Sequence, residues 1–378
     1  MSARRMFPLG KAYGKAFCNR TIETKKLIGH IEGGKHTFLL APRRYGKSSL
    51  CEHAFEQLSF SWSKIDFHIA VTDKDAERII INGVTDLISR SLGSASEKLM
   101  LTAKKYTKRL QPKLSVGPEY FRLELAMVEK SSPAENIAEA LLVLEKLLRE
   151  KDKQAVLLLD EFQEIGNIVN GRCIEGAIRH AAQETQNLSI IFCGSNPHLL
   201  RAMFEDERRP LYKLCRKLVL DRISEDHYRS HLNKAAQEIW GDSLSAKVFG
   251  EIMKLTERHP YYVNYLCDEL CSECEAIPVL SDVIKAWDLV IEEERSDLIK
   301  DFSLLTANQR KLMIYIATHD GKSLYSSKTS KNTDVPISSI SRIISSLIEK
   351  DYIEKVGDDY RLIVPAYKKL LSDTFVCE

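Results

Sequence analysis

The stretch that decides the fold reads His36-Thr-Phe-Leu-Leu-Ala-Pro-Arg-Arg-Tyr-Gly-Lys-Ser-Ser-Leu50. Its apolar beginning predicts a short buried strand, and the pattern from Lys47 onward predicts a helix. Between them, Ala41, Gly46, Lys47 and Ser48 match the phosphate-loop spacing at every position except the first, where alanine replaces glycine. A strand, a tight loop and a helix in this order predict a site for the phosphates of a nucleotide.

The residue types of this loop fit that chemistry. Successive backbone N–H groups and the positive end of the following helix attract anionic phosphates. We expect Lys47 to reach the β- and γ-phosphates and Ser48 to ligate Mg²⁺, while Gly46 allows the closest backbone approach. The predicted nucleotide contacts in the loop are Ala41, Pro42, Arg43, Arg44, Tyr45, Gly46, Lys47, Ser48 and Ser49.

A second apolar strand, at residues 155–159, ends in a pair of carboxylates. Ligands bind at the carboxyl ends of strands in open parallel sheets, so these carboxylates are candidates for the same chemistry. We expect Asp160 to hold Mg²⁺, commonly through water, and Glu161 to orient or deprotonate the attacking water. Ser195, or alternatively Asn196, closes the neighbouring apolar strand and is expected to contact the γ-phosphate or that water.

Short apolar strands alternate with helical patterns, which predicts an α/β class with a parallel sheet covered on both faces. The expected architecture is a P-loop NTPase core of the AAA+ kind over residues 1–222, with a basic insertion at about 94–118. A helical lid at 223–298 and a winged helix-turn-helix domain at 299–378 follow. Within the core, the alternation of residues 65–71 predicts another strand.

Composition places limits on the class of protein. Lys and Arg total 55 against 53 Asp and Glu, so the net charge of +2 gives no global case for nucleic-acid binding. The sequence contains no run of about 18 apolar residues, which is the length that would predict a membrane span. Nine cysteines, an odd number scattered over 378 residues, are typical of reduced thiols. These features predict a cytoplasmic protein.

Six short motifs carry a family resemblance. In chain order they are Phe17-Cys-Asn-Arg-Thr-Ile-Glu23, Ala41-Pro-Arg-Arg-Tyr-Gly-Lys-Ser-Ser-Leu50, Leu159-Asp-Glu-Phe-Gln-Glu164, Phe192-Cys-Gly-Ser195, Arg209-Pro-Leu-Tyr212 and His259-Pro-Tyr-Tyr262. Over about residues 15–270 the chain resembles the archaeal-type P-loop ATPases of prokaryotes, within the STAND and ORC/Cdc6-like branch of AAA+ ATPases. The resemblance implies ATP binding, slow hydrolysis to ADP, and use of the nucleotide state as a switch.

The resemblance also implies roles for residues outside the loop. Arg20, with Glu23, matches a linker motif that packs near the adenine. Pro260, with His259, matches a lid motif that closes over the nucleotide, although members usually read Gly-Gly-His-Pro and this chain has Glu257-Arg258 there. An arginine finger is either absent, as in many STAND proteins, or one of three residues in the stretch after the sensor strand. Those candidates are Arg208, Arg209 and Arg216.

The output of such a switch stays open at the level of sequence. One reading is a regulator that controls a protein effector, for instance in defence or stress. A second is a DNA-associated loader or transposition-type ATPase that contacts DNA through residues 337–350 and the basic residues of 98–113. A third is a DNA-binding regulator with a vestigial nucleotide site, against which the intact Lys47, Ser48, Asp160 and Glu161 argue. Assembly into a homo-oligomer is also left open.

Overall fold

The computed structural model of the chain describes residues 6–93, 97–116, 121–127 and 131–375. These residues form two compact units. The first, here called the sheet unit, comprises Thr21–Arg43 and Leu50–Leu220. The second, the helical unit, comprises the described residues up to Arg20, the segment Arg44–Ser49, and the described residues from Asp221 onward. Most of the phosphate loop therefore belongs to the helical unit.

The strands of the sheet unit form one large sheet and one hairpin. They are β1 (Thr37–Leu40), β2 (Ser61–Asp66), β3 (Leu110–Val116), β4 (Phe121–Met127), β5 (Ala155–Asp160), β6 (Leu188–Cys193) and β7 (Arg216–Val219). Five of them make a parallel sheet in the order β2-β5-β6-β1-β7, and β3 pairs with β4 in an antiparallel hairpin. Every residue of β5 and β6 is buried, as continuous apolar runs predict for central parallel strands. The predicted α/β class with a parallel sheet is confirmed.

Helices surround this sheet. In the order of the chain they are α1 (Thr21–Glu32), α2 (Lys47–Glu56), α3 (Asp73–Leu92), α4 (Glu97–Tyr106), α5 (Pro133–Glu150), α6 (Gly171–Glu184) and α7 (Pro197–Glu205). Their starts are fixed by local chemistry: Thr72 and Asp75 form a capping box before α3, and Ser132 and Glu135 form another before α5. A cluster of buried aromatic rings, including Phe162, packs within the core of this unit.

The strand predicted over residues 65–71 is wrong in its extent. β2 ends at Asp66, and Phe67–Ile69 form a single 3₁₀ turn. The Asp66 side chain accepts a hydrogen bond from the backbone N–H of His68 at 3.0 Å, which stabilises the turn. Asx turns of this kind compete with the hydrogen bonds of the sheet. The alternating sequence pattern therefore continues beyond the residue at which the strand ends.

The basic insertion predicted at about 94–118 is folded where the structure describes it. It contributes α4 and β3, and Leu99, Ala103 and Leu110 are buried in the core of the sheet unit. Glu139 accepts backbone N–H groups from Lys108, Arg109 and Leu110 at 2.7–3.0 Å, which fixes the start of β3. Residues 94–96 and 117–118 of the predicted insertion, and the side chain of Lys98, lie outside the described part.

The helical unit contains eight further helices and a second hairpin. They are α8 (Glu225–Trp240), α9 (Ala246–Thr256), α10 (Pro260–Glu273), α11 (Leu280–Ser303), α12 (Ala307–His319), α13 (Ser327–Thr333), α14 (Ile337–Glu349), β8 (Ile353–Val356), β9 (Asp359–Leu362) and α15 (Ala366–Phe375). Trp287 of α11 is buried in a single apolar core that runs through this unit. None of the described helices, in either unit, is both long and apolar enough to cross a membrane.

The carboxyl-terminal part of the helical unit combines helices with a hairpin. Three helices, α12 to α14, precede the antiparallel pair β8–β9, and α15 follows. On α14 the side chains of Ile340, Ile344 and Leu347 are buried, while Ser341 and Arg342 are exposed. The assignment of these elements to a winged helix-turn-helix domain, like the predicted boundary between residues 298 and 299, stays a prediction.

Candidate nucleotide-binding site

The phosphate loop begins where β1 ends. Ala41 follows the strand directly and is buried, so its methyl group occupies the position at which the usual motif has glycine. Arg44 and Gly46 have φ values of 64° and 83°, in the left-handed region. A side chain at Gly46 would be strained in this conformation, which explains why the loop requires glycine there. The helix α2 then begins at Lys47, and its amino-terminal end follows the turn immediately.

The sequence predicts a phosphate-binding role for the residues after the turn. Lys47 is buried except for a small part of its surface, and Ser48 is half-buried in the first turn of α2. Ser49 is turned away from this role, since its hydroxyl accepts the backbone N–H of Ala12 at 3.0 Å. Burial raises the pKa of Asp351 to about 7 while the Lys47 charge lowers it, so a carboxyl group of the helical unit lies within electrostatic reach of Lys47.

Two loop residues are held by their neighbours within the helical unit. The guanidinium of Arg44 lies over the ring of Tyr261 at 4.1 Å and pairs with Glu294 at 3.1 Å. Tyr45 is almost completely buried, and burial raises its pKa to about 12 although the Arg222 charge opposes this. Of the predicted loop contacts, only Pro42 and Arg43 belong with Ala41 to the sheet unit, and Arg43 is exposed.

The linker residue Arg20 contacts the loop backbone. One of its terminal nitrogens donates to the carbonyl of Tyr45 at 3.2 Å, and the other donates to the carbonyl of Asp221 at 2.6 Å. The side chain is buried. The resemblance places this residue near the adenine, whereas the structure gives it a defined contact with the phosphate loop.

Asp160 is the last residue of β5 and is paired with a lysine that the sequence analysis missed. Its Oδ2 lies 2.5 Å from Nζ of Lys64 on the neighbouring strand β2, and its Oδ1 accepts the N–H of Glu161 at 3.1 Å. Burial lowers the pKa of Lys64, but the hydrogen bond and charge of Asp160 outweigh burial and hold that pKa above its ordinary value. The register pairs Asp66 with Asp160, so Lys64 and Asp160 lie on the same face of adjacent strands.

Glu161 and Ser195 are brought together, as expected for residues that follow adjacent strands. The Glu161 Oε2 atom accepts hydrogen bonds from the Ser195 hydroxyl at 2.6 Å and from its backbone N–H at 3.1 Å. Glu161 has a φ of 50°, which turns its side chain at the end of β5. The alternative Asn196 instead caps α7 by accepting the N–H of Leu199 at 2.9 Å, so Ser195 is the residue that faces the carboxylate.

A third group on Glu161 was also missed. Gln163 is buried, and its amide donates to the same Oε2 atom at 2.7 Å. A Cβ at Gly194 would lie 1.9 Å from the Gln163 side-chain oxygen, so only glycine at this position leaves room for the amide. The sequence contains both Gln163 and Gly194, but neither residue type by itself indicates this contact. The contact becomes visible only when the packing of the two residues is known.

The lid motif begins α10. Pro260 occupies the first turn of this helix, and the ring of His259 meets the ring of Tyr45 edge-on at 4.8 Å. Burial lowers the pKa of His259, and the charges of Arg222 and Arg44 lower it further, so the imidazole is neutral near pH 7. Glu257 and Arg258 have φ values of 45° and 62°. The two positions at which the resembling proteins have glycine therefore keep the backbone conformation that glycine favours.

Comparison with known proteins rests on structure. No family model and no curated protein matches this sequence. A Walker-type ATPase of Pyrococcus abyssi matches with a TM-score of 0.69 and 17% identity, over 97% of this chain and 99% of that chain. The ORC2 protein of Aeropyrum pernix, solved as ADPNP and ADP complexes, matches with a TM-score of 0.58 and 11% identity, over 99% and 98%. The chain has a P-loop ATPase fold.

Two of the three candidate arginine fingers of this P-loop ATPase fold have partners of their own. Arg208 makes an exposed ion pair with Asp206 at 3.0 Å, and Arg209 pairs with the buried Glu175. The third candidate, Arg216, is exposed on β7, which is an edge strand of the sheet. The pair with buried Glu175 makes Arg209 a poor candidate for a contact with another molecule, whereas Arg208 and Arg216 both meet the requirement of exposure.

The oxygen groups of the site suit a small divalent cation. Mg²⁺ prefers hard oxygen ligands and keeps several waters, so one or two protein groups together with phosphate oxygens suffice. The Ser48 hydroxyl and the Asp160 carboxylate are each oxygen groups of this kind. Because the Oδ2 atom of Asp160 is already paired with Lys64, a cation that binds this oxygen shares it with the Lys64 ammonium or displaces that group.

Proposed function

We propose that this protein binds ATP with Mg²⁺, hydrolyses it slowly to ADP and phosphate, and uses the nucleotide state to control a partner protein. The observation that carries the proposal is the sequence of elements around the loop. A buried strand leads through Ala41–Gly46 into a helix that begins at Lys47, and the strand β5 of the same sheet ends in Asp160 and Glu161. Parallel-sheet folds bind nucleotides at such carboxyl ends.

Each residue has a defined role in this proposal. Lys47 and the loop amides hold the phosphates, and Ser48 and Asp160 would hold Mg²⁺, which neutralises phosphate charge when bound. Glu161 orients or deprotonates the attacking water, and Ser195 sets the position of the Glu161 carboxylate through their 2.6 Å hydrogen bond. Gln163 holds the same carboxylate from the other side.

The experiment is a pair of substitutions measured by calorimetry and by turnover. We expect Lys47→Ala to weaken Mg·ATP binding at least about 100-fold, because the loop loses the ammonium group expected to reach the β- and γ-phosphates. We expect Glu161→Gln to retain binding and to lose most turnover, which traps the ATP form.

The control for both variants is Lys74→Ala, which removes an exposed lysine from α3. It should bind and hydrolyse ATP as the unmodified protein does. Absence of binding heat with the unmodified protein would refute the proposal, and normal turnover of the Glu161→Gln variant would remove Glu161 from its role.

A second function is favoured by one feature, the exposed polar face of α14. Ser338, Ser341, Arg342 and Ser345 are exposed there, and hydroxyls with an arginine can contact phosphates and base edges. This face supports a DNA-associated ATPase that binds duplex DNA through residues 337–350, with the basic residues of 98–113 as a second contact. A protein effector remains the preferred partner because the whole chain is nearly neutral.

A further inference from the structure

Arg222 is a buried cation of the helical unit whose guanidinium makes hydrogen bonds with several segments of the chain. It follows β7 by three positions, and its side chain is 2% exposed. Its Nε donates to the hydroxyl of Tyr45 at 3.0 Å. One terminal nitrogen donates to Glu257, both to the backbone carbonyl at 2.8 Å and to the carboxylate at 3.1 Å. Arg222 thereby joins the phosphate loop to the end of α9.

The other terminal nitrogen of Arg222 reaches the hairpin β8–β9. It donates to the carbonyls of Leu362 and Ile363 at 3.1 and 3.0 Å, and it lies 3.1 Å from the carboxylate of Glu354. All three nitrogens of the guanidinium are therefore used, each toward a different segment of the chain. Only arginine has a planar group with five donors in a fixed arrangement, so lysine could not replace it here.

Tyr45 is the point at which this network enters the phosphate loop. Its hydroxyl accepts from Arg222 and donates to Glu354 at 3.3 Å, and its backbone carbonyl accepts from Arg20 at 3.2 Å. The ring packs against His259 of the lid motif. Gly46 and Lys47 follow Tyr45 directly, so a movement of the loop backbone shifts an anchored side chain that has no room to turn.

We infer that Arg222 is a positioning residue that sets the phosphate loop through Tyr45 and couples the state of the loop to the hairpin β8–β9. The inference rests on the proposed function, since it assigns the regulation of the same nucleotide site. Phosphates that draw in the loop amides move Tyr45, and the shared contacts on Arg222 and Glu354 carry this movement to the hairpin. Buried polar groups strongly resist being left unpaired, so the network moves as a unit.

The experiment uses the full-length protein and four variants. Tyr45→Phe removes the hydroxyl, and Arg222→Lys keeps the charge without the planar donors. Their matched controls are Tyr352→Phe, which removes a hydroxyl bonded to the Asp301 carbonyl at 2.9 Å, and Arg179→Lys, which alters an arginine of α6 that donates to the Tyr212 carbonyl at 3.0 Å. Each protein is measured for Mg·ATP affinity by calorimetry and for amide hydrogen exchange of residues 353–363 with and without Mg·ATP.

We expect Mg·ATP to slow exchange of the hairpin in the unmodified protein and in both controls. Tyr45→Phe and Arg222→Lys should weaken Mg·ATP binding about tenfold and abolish its effect on the hairpin. Their combined effect on affinity in the double variant should be clearly smaller than the product of the single effects, because both act through one network. A merely structural role would lower stability and leave the nucleotide-dependent change in exchange intact.

Three outcomes would overturn the inference. The first is Mg·ATP binding by the unmodified protein without any change in hairpin exchange. The second is a hairpin response in Tyr45→Phe and Arg222→Lys equal to that of the controls. The third is no Mg·ATP binding by the unmodified protein at all, which overturns the proposed function together with the inference and is recognised by calorimetry before any variant is compared.

Discussion

At the scale of single residues, the carboxylate of Glu161 is held by several hydrogen bonds. One of its oxygens accepts three hydrogen bonds, two from Ser195 and one from Gln163. A general base must reach the proton it removes, so geometry decides its use before acidity does. These hydrogen bonds fix where the carboxylate points, and a water can be activated only at a position that this orientation allows.

Lys64 gives a prediction about magnesium. The ammonium group of Lys64 is paired with the Oδ2 atom of Asp160, and a metal cation that binds this oxygen competes with the ammonium group. We expect Lys64→Met to lower the concentration of Mg²⁺ that half-saturates ATP hydrolysis by roughly three- to tenfold, the range for loss of a competing, partly buried ion pair. Binding of Mn²⁺ followed by electron paramagnetic resonance gives a second measurement that is independent of turnover.

The control for Lys64 is Lys217→Met on β7, which removes an exposed lysine paired with Glu205 at 2.7 Å. It should leave the magnesium dependence unchanged. A half-saturating concentration that stays the same or rises in Lys64→Met would mean that the ammonium supports the cation site instead of competing for it.

At the scale of elements, the end of α9 carries a matched pair of strained residues. Glu257 and Arg258 both have positive φ, which costs a residue with a Cβ about 1 kcal/mol relative to glycine. Arg258→Gly should therefore raise the free energy of unfolding by about 0.5–1 kcal/mol. Glu257→Gly relieves the same strain but loses the carboxylate contact with the buried Arg222, so we expect a net loss of stability.

Unfolding of the helical unit can be followed separately. Trp62 lies in the sheet unit, and Trp240 and Trp287 lie in the helical unit. Tryptophan fluorescence measured during denaturation of a Trp62→Phe background therefore reports on the helical unit. The same gain for both variants would show that the Glu257 side chain contributes nothing through Arg222. A loss for Arg258→Gly would show that its side chain makes a contact worth more than the strain.

Elements were predictable from the sequence wherever one physical signal dominated. The run that forms β5 is apolar up to Asp160 because both faces of this strand are covered, and its predicted end at residue 159 lies within one residue of the observed end. The pattern failed at Asp66, where a side-chain hydrogen bond ends β2, and at 110–127, where the basic residues hid a hairpin whose Leu123 and Leu125 are buried. Where a side-chain hydrogen bond ends a strand, or where few residues of a strand are buried, the sequence shows little hydrophobic periodicity.

At the scale of the whole molecule, what the sequence could not predict are contacts between distant positions. Spacing and the ends of strands lead to Lys47, Asp160 and Glu161 as candidate site residues. By contrast, Arg222 and Tyr45 lie 177 positions apart, and Tyr45 and Glu354 lie 309 apart. Nothing in the spacing of these residue types predicts that they meet, because their contacts depend on how the helices of the unit pack.

The choice between a protein effector and DNA gives the last prediction. We expect duplex DNA to change the ATPase rate less than about twofold at both 50 and 200 mM salt, because binding to DNA takes its affinity from the release of counterions by clustered cations. The residues from 300 onward carry twelve Lys and Arg against ten Asp and Glu, and Arg342 is the one arginine or lysine within α14. Such a surface neutralises few phosphates. Strong stimulation at 50 mM that collapses at 200 mM, and that Arg342→Ala reduces, would instead favour the DNA-associated ATPase, since six or more phosphate contacts lose about 10³-fold in affinity over that range.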